Sequence, residues 1–332
     1  MSRYFNTTGP CDREQHYMLP PLPRLPELRR LIDERRFYVI HAARQSGKTT
    51  AVRAMAAELR GEGMVALHVS LESSRQTPSL AEAEPRWLWD IRNTASLYLP
   101  PQDCPPSTSE LTGPPGTQLS QLLQRWAARV FPLPLVLFFD EVDTLEGEAL
   151  VSFLAQLRAG FDHRPRGFAS SIGLVGMRDL TAHNEQGLAR HSASRDNPFN
   201  IKSHSLLLRS FSQIELAELY GQHTEETGQE FTPEALRMAY ELTAGQPYLV
   251  NALGYYLTRE APVPVERAIS PEDIVRARER IMVARTGYLE NLSDLLRERR
   301  SGRSSSPRSL ESLLTESDEP LDEDSTASIL VC

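Results

Sequence analysis

Lysine is almost missing from this chain. Of 36 basic residues in a length of 332, only Lys48 and Lys202 are lysine, and the rest are arginine. Cysteine is nearly as scarce. Cys11, Cys104 and Cys332 lie far apart with no CxxC spacing, which argues against a disulfide framework or a cysteine-based zinc site. Positive charge is not in excess either. Asp and Glu number 44 and the formal net charge is −8, so bulk electrostatics do not favour nucleic acid, although an average of this kind leaves room for a local basic surface. No apolar run approaches the length that spans a bilayer, and the polar start "MSRYFNTTGPCDREQ" lacks the pattern of a secretion signal. Together these absences predict a soluble, cytoplasmic protein with no membrane partner.

The scarcity of lysine makes its placement informative. Lys48 sits in "HAARQSGKTT" (41–50), the pattern of a phosphate-binding loop except that Ala42 stands where the first glycine is usual. A compact ammonium on a flexible stem reaches between phosphates where a planar guanidinium fits poorly. A chance match in so arginine-rich a chain would sooner read GRT, so the lysine favours function. The flanks agree: "RFYVIHA" (36–42) is a short apolar, β-rich run, and "TTAVRAMAAELRGEG" (49–63) has helical spacing at Val52, Met55, Ala56 and Leu59. Strand, loop and helix are the context such a loop requires.

Further along, "MVALHVSLE" (64–72) predicts a second strand, and "AEAEPRWLWDIRNTA" a helix. The Pro-rich "LPPQDCPPSTSELTGPPG" (99–116) reads as a surface loop. Helices follow at "TQLSQLLQRWAARV" (117–130) and "GEALVSFLAQLRAGF", around the most apolar run of the chain, "LPLVLFFDEVD" (133–143). "SIGLVGMRDL" (171–180) and "SHSLLLRSF" (203–211) complete a strand-rich half. Continuous apolar strands alternating with helices predict an α/β fold, a three-layer sandwich around a parallel sheet. From residue 212 the pattern turns wholly helical. Ser212 and Glu215 form a capping box; Thr232 and Pro233 open a second helix that Gly245 stops; Ser270 and Pro271 open a third. The tail shifts from basic to Ser-rich to acidic and reads as disordered. The expected divisions are a leading segment and helix (1–33), an α/β core (34–211), a helical lid subdomain (212–296) and a tail (297–332).

Chemistry attaches to four places. In a phosphate loop, the backbone N–H groups of Ala43, Arg44, Gln45 and Ser46, then those of Gly47, Lys48, Thr49 and Thr50, cradle an anion at a helix N-terminus. Gly47 lets the backbone approach, Lys48 bridges β- and γ-phosphates and the Thr49 hydroxyl holds Mg²⁺. Ala42 adds strain if its position needs a positive φ and little if it merely ends the strand; the second is favoured. The run "LVLFFDEVD" has the form of a Walker B strand, with Asp140 orienting Mg²⁺ and Glu141 polarising the attacking water. Asp143 and Glu146 read as solvated acids. In "LVGMRDL", Arg178 reads either as a γ-phosphate sensor or as an arginine paired with Asp179. In "TAGQPYLVNAL" (243–253), Gly245 and Pro247 are either helix punctuation or a lid segment packed on adenine or ribose.

As a set, "AARQSGKTT", "LVLFFDEVD", "GMRD" and "GQPY" resemble the motifs of a P-loop ATPase of the additional-catalytic-glutamate division, similar to STAND-type and origin-recognition-type AAA+ proteins. The upstream "RLPELRRLI" (24–32) resembles the helix preceding the loop in those families, where the adjoining segment often packs on adenine. "RYFNTTGPCD…HYMLPP" and "QHTEETGQEFTPEALRMAYELTAGQPYLVNAL" look like a group of bacterial ATP-binding AAA-like proteins, and the likeness covers about residues 3–296. It implies the P-loop NTPase fold, ATP or ADP with Mg²⁺, and hydrolysis used as a conformational switch. It also implies self-association, with Arg190 and Arg195 as weak candidates for an arginine finger, and a protein partner that the sequence does not identify. No Asn-Lys-x-Asp guanine-reading motif is present, which favours ATP over GTP. Two other readings stay open: a nucleotide-loaded adaptor that does not hydrolyse, and an origin- or transposition-type DNA remodeller. The tail does not look like the winged-helix or effector module such ATPases often carry.

Overall fold

The computed structural model of the protein describes residues 2–75, 77, 79–176 and 204–282. The expected tail, together with Arg178, Arg190 and Arg195, lies outside the described residues. Two compact units emerge, Pro20–Arg209 and Met1–Leu19 with Ser210–Cys332. The stretch 1–33, which the sequence suggests as one leading segment, is therefore parted between Leu19 and Pro20.

In the first unit, five parallel strands form one sheet: β1 (Phe37–His41), β2 (Val65–Ser70), β3 (Leu135–Asp140), β4 (Ser171–Gly176) and β5 (His204–Leu207), in the order β2-β3-β4-β1-β5. Every residue of β3 and β4 is buried, as strands covered on both faces must be. Side-chain alternation splits the core into two layers. Phe37, Val39, Leu137 and Phe139 pack with α3 (Leu80–Tyr98), α4 (Gln118–Val130) and α5 (Gly147–Gly160). Tyr38, Ile40, Val136 and Phe138 pack instead with α1 (Leu28–Asp33) and α2 (Lys48–Gly61). The result is the expected three-layer α/β sandwich.

The winding of the sheet positions the site. From β1 the chain passes through α2 to β2 at the far edge and steps back through β3 and β4. It then places β5 on the other side of β1. The direction reverses at β1, and the carboxyl ends of strands at such a reversal border a crevice. A buried carboxylate organises the opposite layer. Glu84 of α3 accepts the N–H groups of Gly116, Gln118 and Leu119 at 2.6, 3.0 and 3.2 Å and the Gln156 amide at 2.9 Å. It thereby satisfies first-turn amides of α4 that have no partner inside the helix, and joins three helices at one point.

The second unit is helical: α6 (Gln213–Thr227), α7 (Pro233–Thr243), α8 (Pro247–Tyr255, continued by a wider turn at Tyr256–Glu260) and a further helix over 271–282. The sequence signals act as expected. Ser212 and Glu215 exchange both bonds of a capping box, and the Thr232 side chain accepts the Ala235 N–H. Ala244, at φ 46°, already turns left-handed before Gly245, so α7 ends one residue earlier than the glycine suggests. Phe5 and Tyr17 from the N-terminal segment bury their rings against Tyr220 and His223 of α6, which is why residues 2–19 fold with this unit.

Candidate functional site

The loop between β1 and α2 has two residues in the left-handed region, Gln45 at φ 60° and Gly47 at φ 82°. Ala42 is not among them; it is buried and its N–H points to the Gly176 carbonyl at 3.4 Å. Alanine at the first loop position therefore carries no backbone strain. Gly47 is different. A Cβ there would meet nothing closer than 3.6 Å, so the backbone angle, and not the available space, calls for glycine.

A buried arginine holds the loop from behind. The Arg24 guanidinium donates to the Ser46 carbonyl at 2.8 Å and, through two nitrogens, to the Arg209 carbonyl at 2.6 and 2.9 Å. In a trans peptide the C=O and the next N–H point opposite ways, so holding the Ser46 carbonyl toward Arg24 turns the Gly47 N–H away from it. Lys48 curls over the loop, its Nζ donating to the carbonyls of Ala42 and Ala43 at 2.7 and 2.8 Å. Burial lowers its pKa and the neighbouring Arg44 adds to that, while Asp140, Asp143 and Glu141 pull the other way. Arg44 and Gln45 are exposed, and Thr50 is half-buried in the first turn of α2.

The end of β3 faces the start of α2. Asp140 is 2% exposed and accepts the Thr49 hydroxyl at 2.6 Å on Oδ2, His68 Nε2 at 3.1 Å on the same oxygen, and the Glu141 N–H at 2.9 Å on Oδ1. Burial pushes its pKa up, but these donors prevail and hold it below the ordinary carboxylate value. Glu141 follows at φ 60°, where the strand breaks into a turn, and its carboxylate takes the Ser70 hydroxyl at 2.5 Å. Burial raises its pKa, with Glu72 and Asp140 adding and Ser70 and Arg75 opposing.

The donor set suits an anionic ligand with a hard cation. The Ser46 hydroxyl is buried with no hydrogen-bond partner. Thr49 gives its proton to Asp140, which leaves its oxygen lone pairs for a metal, and one hydroxyl with one carboxylate is a common protein share of a Mg²⁺ site. Among the described residues no cluster of three or more His, Cys, Asp or Glu forms a closed metal cage.

Lys48, Thr49, Asp140 and Glu141 thus lie close to one another. Gly245 and Pro247 belong to the second unit, where both have structural duties. A Cβ on Gly245, at φ 68°, would lie 1.9 Å from the Phe211 carbonyl oxygen, and buried Pro247 is the first residue of α8. Arg178 falls outside the described residues. Sequence reasoning missed His68, Ser70 and the latch role of Arg24. The one available signal was polarity: His68 interrupts the apolar run "VALHV" and shares a strand face with Ala66 and Ser70, so two polar residues fall on one face of a buried strand.

No protein-family model matches the chain, and no curated protein matches it. Solved structures do. The Walker-type ATPase PABY2304 of Pyrococcus abyssi is similar over 89% of this chain and 79% of its own, at 15% identity and a TM-score of 0.58. ORC2 of Aeropyrum pernix, in ADPNP–ADP complexes, is similar over 77% of this chain and 65% of its own, at 17% identity and a TM-score of 0.47. The RuvB Holliday-junction branch-migration motor of Thermotoga maritima is similar over 76% and 65%, at 15% identity and a TM-score of 0.42. The first likeness is one of fold, and the chain has the P-loop NTPase fold. No helix among the described residues is long and apolar enough to cross a membrane.

Proposed function

We propose that this chain binds Mg²⁺–ATP at the loop after β1 and hydrolyses it slowly, as a STAND-like switch whose nucleotide state a partner reads. The observation that carries the reading is the 2.6 Å hydrogen bond between Thr49 and Asp140, 91 residues apart, which brings the loop lysine and the acid pair of β3 into one site. Lys48 leaves the loop carbonyls for the β- and γ-phosphates, while the N–H groups from Ala43 to Thr50 surround them at the N-terminus of α2. Thr49 and Asp140 would hold Mg²⁺, which would supply charge neutralisation toward the phosphates. Glu141 takes a proton from the attacking water, and burial, which raises its pKa, makes it a stronger proton acceptor than an exposed carboxylate. The proposed chemistry needs neither Gly245 nor Pro247. Arg178 as a sensor is part of the same proposal.

The bond from Ser70 to Glu141 supports slow turnover, because the base is held by a hydroxyl and must leave it to act. The same bond favours the second reading, an adaptor that retains nucleotide unhydrolysed. Equilibrium binding of a fluorescent ATP analogue tests the site. Lys48→Ala is expected to abolish binding. Wild-type affinity in that variant would place the nucleotide elsewhere.

A further inference from the structure

His68 occupies a place where a hydrocarbon would be ordinary. On β2, Val65, Leu67 and Val69 face the helices α3 to α5, and Ala66 faces α2. His68 follows Ala66 on that second face, paired in register with Phe138, and is 8% exposed. A polar ring in such a place is destabilising unless it is hydrogen-bonded. Its bond is between Nε2 and Asp140 Oδ2 at 3.1 Å, and since a carboxylate oxygen accepts, Nε2 is the donor. The same oxygen accepts the Thr49 hydroxyl, so His68 and Thr49 are two donors converging on one buried carboxylate oxygen of Asp140.

We infer that His68 is the positioning residue for the cation site: it fixes the Asp140 carboxylate in the orientation that leaves Thr49 Oγ1 ready to ligate Mg²⁺. The inference rests on the proposed nucleotide site and goes beyond it by assigning metal affinity to a residue outside both motifs. With leucine at 68, Oδ2 keeps one donor in place of two, and the carboxylate, still held by Thr49 and by the Glu141 N–H, loses the restraint on the side away from the loop. Nothing on the phosphate side changes, because Lys48 and the loop N–H groups make no bond to His68. The loss is therefore specific to the metal. Partners that orient metal ligands are commonly worth about 10- to 100-fold in metal affinity.

The experiment is a Mg²⁺ titration of methylanthraniloyl-ATP binding to the full chain, with a parallel titration of the nucleotide in EDTA and a thermal melt. His68→Leu is expected to raise the Mg²⁺ concentration for half-saturation by about 10- to 100-fold while leaving metal-free nucleotide affinity unchanged. His68→Gln, whose amide can place a donor near the Nε2 position, is expected to recover most of that shift. A leucine variant with wild-type Mg²⁺ dependence would overturn the inference and leave the nucleotide site standing. So would equal losses with and without metal alongside a lowered melting temperature, or failure of glutamine to recover the shift in a folded protein. Absence of any binding by the wild-type chain would overturn the nucleotide site and the inference together.

Discussion

Replacing Arg24 with alanine tests whether the loop is held from behind as the geometry implies. The guanidinium donates to the carbonyls of Ser46 and Arg209, to the latter through two nitrogens, and Arg24 is only 6% exposed. A hydrogen bond from a charged donor contributes about 1.5–3 kcal/mol, and removing one partner leaves a buried acceptor unsatisfied. Two acceptors at the lower figure give about 3 kcal/mol, since the desolvation of the guanidinium is also relieved in the variant. All three tryptophans, Trp87, Trp89 and Trp126, lie within Pro20–Arg209, so tryptophan fluorescence during urea unfolding reports this unit alone. Arg24→Ala should lower its unfolding free energy by about 3 kcal/mol, and Arg24→Lys should fall between, because a point ammonium cannot span both carbonyls as a planar fork does. An alanine variant with the wild-type midpoint and slope would refute the latch.

Two further perturbations address the two units separately. Gly173 is the register partner of both Tyr38 and Phe138, and a Cβ on it would lie 2.7 Å from one ring and 3.0 Å from the other. Gly173→Ala should destabilise the sheet unit by about 1–3 kcal/mol in the same fluorescence assay, and an unchanged midpoint would show that the rings yield freely. In the second unit, Asp273 accepts from Arg267, from the backbone and hydroxyl of Ser270, and from Arg276, and these bonds, led by Arg267, hold its pKa well below the ordinary value. A depressed carboxylate stabilises the fold above its unfolded pKa of about 3.9, and the gain fades as pH falls through the folded value. Thermal melts should thus show Asp273→Asn less stable than wild type near neutrality, with the gap closing in acid. A gap that does not change with pH would contradict the assignment.

Much of the fold is legible in the sequence because its signals are local. β3 reads as a buried strand from its unbroken apolar run, α6 from its capping box, and α7 from Thr232 and Pro233. Ala42 is legible as well: a strand end needs no glycine, and the left-handed turns fall later, at Gln45 and Gly47. The partners that complete the site are not local. His68 and Ser70 meet Asp140 and Glu141 only because β2 and β3 pair in register with Ser70 opposite Asp140. Sequence periodicity places each strand but not which strand lies beside which. Glu84 is hidden for the same reason, since a carboxylate on a helix face ordinarily reads as solvated, and its four donors come from segments more than 30 residues away. The grouping of residues 2–19 with the helical unit likewise depends on where the rings of Phe5 and Tyr17 are buried.

The central claim is that Glu141 turns over ATP held by Lys48, Thr49 and Asp140. Phosphate release from Mg²⁺–ATP, measured for the wild-type chain and Glu141→Gln over a range of protein concentrations, tests it directly. The account predicts slow release by the wild type and none by the variant, with ATP binding kept in both. Equal release by the two proteins would contradict it.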